Sequence, residues 1–95
     1  LIPPLGVYIA RLRLENGESY GGITNIGRRP TLHNGMDISV ETNLLNFAGD
    51  LYGEQVEVEL LEFVRPERPF SDLTELRAAI AANRRQAAAY FENAE

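Results

Sequence analysis

Alternation of apolar and polar positions marks four strand-like stretches, and a stretch with helical spacing follows them. Over residues 6–14, Tyr8, Ala10, Leu12 and Leu14 face one way and Val7, Ile9, Arg11 and Arg13 the other, the two-residue period of a strand. Asn16-Gly17 then predicts a two-residue hairpin turn, because both residues accept positive φ angles. The return strand is expected over 19–26. Its Gly21-Gly22 pair is expected to mark a bulge, the alternatives being a barrel corner or a close approach by a ligand or another backbone. Over 38–47, Ile38, Val40, Thr42, Leu44 and Asn46 share one face, with Ser39, Glu41, Asn43, Leu45 and Phe47 on the other. Residues 55–65 alternate again and are expected to run antiparallel to the strand over 38–47, stopping at Arg65-Pro66-Glu67-Arg68-Pro69-Phe70, where neither proline can donate to a ladder.

A helix is predicted over 72–92. Asp72 followed by Glu75 fits a capping box, and Leu73, Leu76, Ile80, Ala87 and Phe91 keep helical spacing on one apolar stripe. Strands first and one terminal helix last predict a mostly β domain, an antiparallel sheet or small barrel closed by a helix.

Two stretches invite chemistry. The thirteen residues 25–37 are rich in Gly, Pro, Asn and Asp and read as a long turn-rich loop. Within it Arg28 and Arg29 could grip phosphate or be solvated, and His33 reads as an ordinary surface histidine. Glu41 lies in the middle of a strand, where a carboxylate needs a reason. Either its face is solvated and it pairs with a cross-strand arginine, or it is a general base held rigidly beside a binding site.

Composition narrows the classes. Ninety-five residues make one small domain, and 14 acidic against 9 basic residues give a net charge of −5, a field that repels phosphate backbones and anionic lipid heads. Nucleic acid and membrane are therefore not expected partners. All nine basic residues are arginines, so nothing in this chain can form a lysine phosphate cradle or Schiff base. With no cysteine and one histidine, neither a thiolate site nor a histidine cluster is expected to hold a metal, and a cytoplasmic location is expected. The abrupt apolar start, Leu1-Ile2-Pro3-Pro4, reads as a cut inside a larger protein.

At this point the chain resembles a known family. Gly6-Val7-Tyr8, Gly22-Ile23-Thr24-Asn25-Ile26-Gly27 running through Arg29-Pro30-Thr31, Val40-Glu41-Thr42, the block from Phe47 to Gly53, and Arg65-Pro66-Glu67 with Phe70 are together similar to the riboflavin kinase domain. In bacteria this is usually the C-terminal module of a bifunctional FAD synthetase. The resemblance implies a six-stranded antiparallel barrel of Greek-key type with a C-terminal α-helix, of which about four main strands lie here. It implies transfer of the γ-phosphoryl of Mg-ATP to the ribityl 5′-hydroxyl of riboflavin, giving FMN and ADP, with Glu41 as the catalytic base. It places Asn25, Arg29, Thr31, Phe70, Asp72, Leu73 and Arg84 at the substrate, and it puts a flexible lid at 31–37.

Departures from the family pattern matter as well. Where relatives commonly carry His and Asp after the base, this chain has Asn43 and Asn46, and Asn83 stands where many have Asp. The Pro-Thr-Ala-Asn motif that contacts nucleotide and Mg2+ is not found in 1–95. The expectation is thus a riboflavin kinase-like domain without its N-terminal nucleotide and metal strands, inactive alone, holding no metal itself and open along the strand that begins at Gly6. A non-catalytic flavin-binding barrel and a purely structural β-barrel are the alternatives.

Overall fold

The computed structural model describes residues 3–30, 36–47 and 55–93. Four strands, β1 (Gly6–Leu14), β2 (Ser19–Pro30), β3 (Met36–Leu44) and β4 (Val56–Pro66), precede one helix, α1 (Leu73–Asn93). Among the described residues they form a single antiparallel sheet in the order β3-β2-β1-β4, with β3 and β4 at its two edges. This is the mostly β architecture that the alternation predicts, in the form of a partial barrel.

The expected open edge along β1 is overturned. β1 is central, paired to β2 on one side and β4 on the other, and among the described residues the edges are β3 and β4. Its sequence accounts for this, since Val7, Tyr8, Ile9 and Ala10 are all buried and a strand apolar on both faces needs cover on both. β4 does run opposite to β3 but is not its neighbour; it crosses to β1, with register shifts at Val7/Tyr8 and Ile9/Ala10.

Three local expectations also change. The β1–β2 turn is not a two-residue hairpin. The Gly17 amide donates to the Leu14 carbonyl at 3.1 Å, the Leu14 amide donates to the Glu18 carbonyl at 2.8 Å, and only Gly17 has a positive φ, 93°. This is a longer turn closed by one left-handed glycine. Gly21-Gly22 is not a bulge, since the ladders on both sides of it run without a shift. A Cβ on Gly21 would run into the Phe91 ring, so this glycine lets α1 approach the sheet. Finally, the loop expected over 25–37 is largely strand, because β2 and β3 stay paired out to Pro30 and Met36. β1 begins opposite Ile26, so among the described residues the last residues of β2 pair with β3 alone and a proline there breaks no second ladder. β3 ends at Leu44, short of 47, because Asn46 turns to a φ of 54°.

Helix α1 lies on the face that carries Val7, Ile9 and Ile23, which pack with Ala87 and, around them, Ile80, Tyr90 and Phe91. Each such branched side chain removed from water stabilises by about 1.5–3 kcal/mol. Asp72 caps the helix. Its carboxylate accepts the Glu75 amide at 2.8 Å, while Glu75 accepts the Ser71 hydroxyl at 2.9 Å. Leu73 does not join the apolar stripe and is 65% exposed. The opposite face of the sheet is apolar too, but at the open edges Ile38 and Val40 on β3 and Val56, Val58 and Phe63 on β4 remain exposed.

Candidate active site

Antiparallel register assembles the site. Glu41 of β3 is the cross-strand partner of Asn25 of β2, Asn25 of Val7 of β1, and Val7 of Arg65 of β4. Partners in register share a face, so these four side chains form one row across the whole sheet on the side of α1. The row lines a cavity of about 380 Å3 between the sheet and the start of the helix. Val7, Ile23, Leu76 and Ile80 give that cavity an apolar lining.

Charge is concentrated at its rim. Glu41 and Glu67 are the acids, Arg65 and Arg68 the bases. Glu41 is exposed, and one of its carboxylate oxygens accepts the Ser39 hydroxyl at 3.1 Å. At the other end, the Arg65 Nε donates to Asn83 Oδ1 at 3.3 Å, and Asn83 is buried on α1. Desolvation first, and the neighbouring Arg68 charge second, pull the Arg65 guanidinium below the ordinary arginine value. The Phe70 ring lies under both arginines, 5.4 Å from the Arg65 guanidinium carbon and 4.3 Å from that of Arg68. Arg68 also reaches Glu75 at 3.7 Å.

Of the residues expected at the substrate, the fold brings Asn25 and Phe70 into this cavity with Glu41. Asp72, Leu73 and Arg84 are not on its wall. Asp72 is spent on the helix cap and Leu73 points outward. Arg84 donates to Asn43 Oδ1 and, at 3.0 Å, to the Leu44 carbonyl, tying α1 to the end of β3. Arg29 contributes its backbone to β2 opposite Asp37, while its side chain and the whole of 31–35, with Thr31 and most of the expected lid, lie outside the described residues. Arg65, Glu67 and Asn83 are cavity residues that the linear pattern does not mark as a site. Arg65 reads there as the end of a strand, and Asn83 only as a departure from a family pattern. No group of three His, Asp or Glu side chains able to hold a metal occurs among the described residues. No helix among them is long and apolar enough to cross a membrane.

The cavity thus joins an apolar lining to charged groups of both signs and one aromatic ring, Phe70. Comparison with known proteins names the family. The riboflavin kinase (flavokinase) family model matches residues 1–91, and the chain belongs to that family. It is 36% identical over 95 residues to the bifunctional riboflavin kinase/FMN adenylyltransferase of Bacillus subtilis, covering 98% of this chain and 30% of that protein. It is 36% identical over 91 residues to the protein of the same description from Haemophilus influenzae, covering 96% and 29%. The chain thus spans less than a third of the length of these relatives. A solved Streptococcus pneumoniae chain described as a macrolide-efflux protein superposes with a TM-score of 0.74 at 26% identity, over 90% of this chain and 28% of that one. Efflux is said of that protein as a whole, and the overlap reaches just over a quarter of it.

Proposed function

We propose that this domain phosphorylates riboflavin, moving the terminal phosphoryl group of ATP to the primary hydroxyl of the ribityl chain and releasing FMN and ADP, with Glu41 as general base. Glu41 takes the hydroxyl proton, the oxygen bonds to the terminal phosphorus, and the bond from that phosphorus to the bridging oxygen breaks to release ADP. Phosphoryl transfer depends chiefly on position and charge, so the protein's task is to hold the hydroxyl beside a carboxylate and the rest of the substrate in one pose. The observation that carries the reading is the position of Glu41 on the wall of the cavity that Phe70 and Arg65 close, in a chain of this family.

Asn25, next to Glu41 in register, is assigned to the chain hydroxyls and Phe70 to the ring. Arg29 and Thr31, on the strand and segment that follow Asn25, remain assigned to the substrate by resemblance. Magnesium accompanies ATP in the family, but the described residues offer no cluster that fits it, and no step above runs through it. The relatives are described as bifunctional, which supports an adenylyltransferase partner domain in the parent protein.

Glu41→Gln tests the assignment in the intact natural protein. It keeps shape and hydrogen bonding but cannot take the proton, so turnover falls by ~10² to 10⁴ while riboflavin binding holds. Turnover close to that of the unaltered protein sinks the base assignment.

A further inference from the structure

A general base works from one pose, and the strand that carries Glu41 supplies little of the rigidity a pose requires. Among the described residues β3 is an edge of the sheet; it ends at Leu44, and Asn46 turns the chain away with a φ of 54°. Glu41 thus stands three residues from the end of its strand, where ladders open first.

Helix α1 reaches over to that end through Arg84. One guanidinium nitrogen, Nη1, donates to Asn43 Oδ1 and, at 3.0 Å, to the Leu44 carbonyl. The main-chain contact holds the last residue of β3, and the side-chain contact holds a neighbour of Glu41. Asn43 and Glu41 lie two positions apart, so both face α1, about 7 Å from each other along the strand, and both line the cavity. β2 closes on the same point from the side. The Leu45 amide donates to the Gly21 carbonyl at 2.8 Å, and Gly22 lets the Asn43 carbonyl come so near that a Cβ on Gly22 would collide with it. The end of β3 is therefore gripped between a glycine pair and an arginine. Arg84 itself is half-buried and off the cavity wall, so whatever it does for the site passes through β3.

We propose that Arg84 is a positioning residue for the reaction: it locks Asn43 and the end of β3 to α1, and through them fixes where the Glu41 carboxylate points. This rests on the reading of Glu41 as the base. It takes the place of the direct substrate contact that the family resemblance implies for Arg84.

The test is steady-state turnover and thermal melting of the intact natural protein. Arg84→Met keeps the stem and removes the donors, so kcat falls by about ten- to a hundredfold, the scale of a small misplacement of a catalytic group, while KM for riboflavin and for ATP and the melting midpoint change little. Arg84→Lys, which keeps the charge and can still donate, recovers part of the rate, and Asn43→Ala breaks the same clamp from β3 if the helix variants do not fold. In a Glu41→Gln background Arg84→Met costs nothing further, because no base is left to aim; a merely structural arginine would lower the rate by the same factor in both backgrounds. That equal loss, a rise in KM with kcat unchanged, or undiminished turnover in Arg84→Met each overturns the proposal, the second by making Arg84 a substrate ligand. Turnover close to normal in Glu41→Gln alone overturns the base reading, and the positioning role falls with it.

Discussion

Thr24 and Thr42 are cross-strand partners on β2 and β3, one position before and one after the Asn25–Glu41 pair, and their hydroxyls lie 2.9 Å apart. Removing either hydroxyl breaks the same hydrogen bond, yet the two substitutions should not cost the same. Thr24 is 0% exposed, and among the described residues Thr42 is its only side-chain partner. Thr42→Val therefore strands a fully buried hydroxyl, and the cost sits at the upper part of the range for an unsatisfied buried group, about 2–3 kcal/mol. Thr24→Val leaves the half-buried Thr42 hydroxyl, which can turn to water, and costs about 1 kcal/mol. The double Val variant strands nothing, so it should be more stable than Thr42→Val alone, with a coupling of about 1–2 kcal/mol between the sites. Each kcal/mol moves the midpoint of a domain this size by roughly 4–8 °C, well within the reach of thermal melts followed by circular dichroism. A Thr24→Val variant that is as damaging as Thr42→Val, or a double variant whose loss equals the sum of the singles, would refute this account of how β3 is held to β2.

Asp72→Ala removes the carboxylate that caps α1 and should lower stability by about 1 kcal/mol in urea titrations, with helix content retained. Gly21→Val places a branched side chain where the Phe91 ring lies, and should cost at least ~2 kcal/mol and loosen α1, seen as faster amide exchange in its last turns; an unperturbed helix would show that Phe91 can move aside freely.

The fold was largely legible in one dimension because each element is stabilised locally. The two-residue periods around Tyr8 and Val40 and the Asp72 cap announce their strands and helix without help from distant residues. What escaped depends on pairing between distant segments. Nothing near Pro30 says that β2 continues through a run of turn-forming residues, since the β3 ladder decides it. Nothing near Val56 says that its strand joins β1 and not β3. The same holds for the site. Glu41 stands out as a carboxylate in a strand, but Arg65 becomes its counterpart only once three separate registers line up in a single row. Asn83 likewise gains meaning only when the helix docks and its amide meets Arg65.

The two ends of that row lie on β3 and β4, the strands that among the described residues have a ladder on one side only. Edge strands are the parts of a sheet that exchange and fray first, so Glu41 and Arg65 reach the cavity from the domain's least protected backbone. A ligand that met both ends would supply the cross-link that the open sheet lacks. Affinity and rigidity are then one quantity: every tenfold excess of ligand over its dissociation constant adds about 1.4 kcal/mol of protection, felt first in β3 and β4 and last in β1. The empty domain would be a looser sheet than the loaded one.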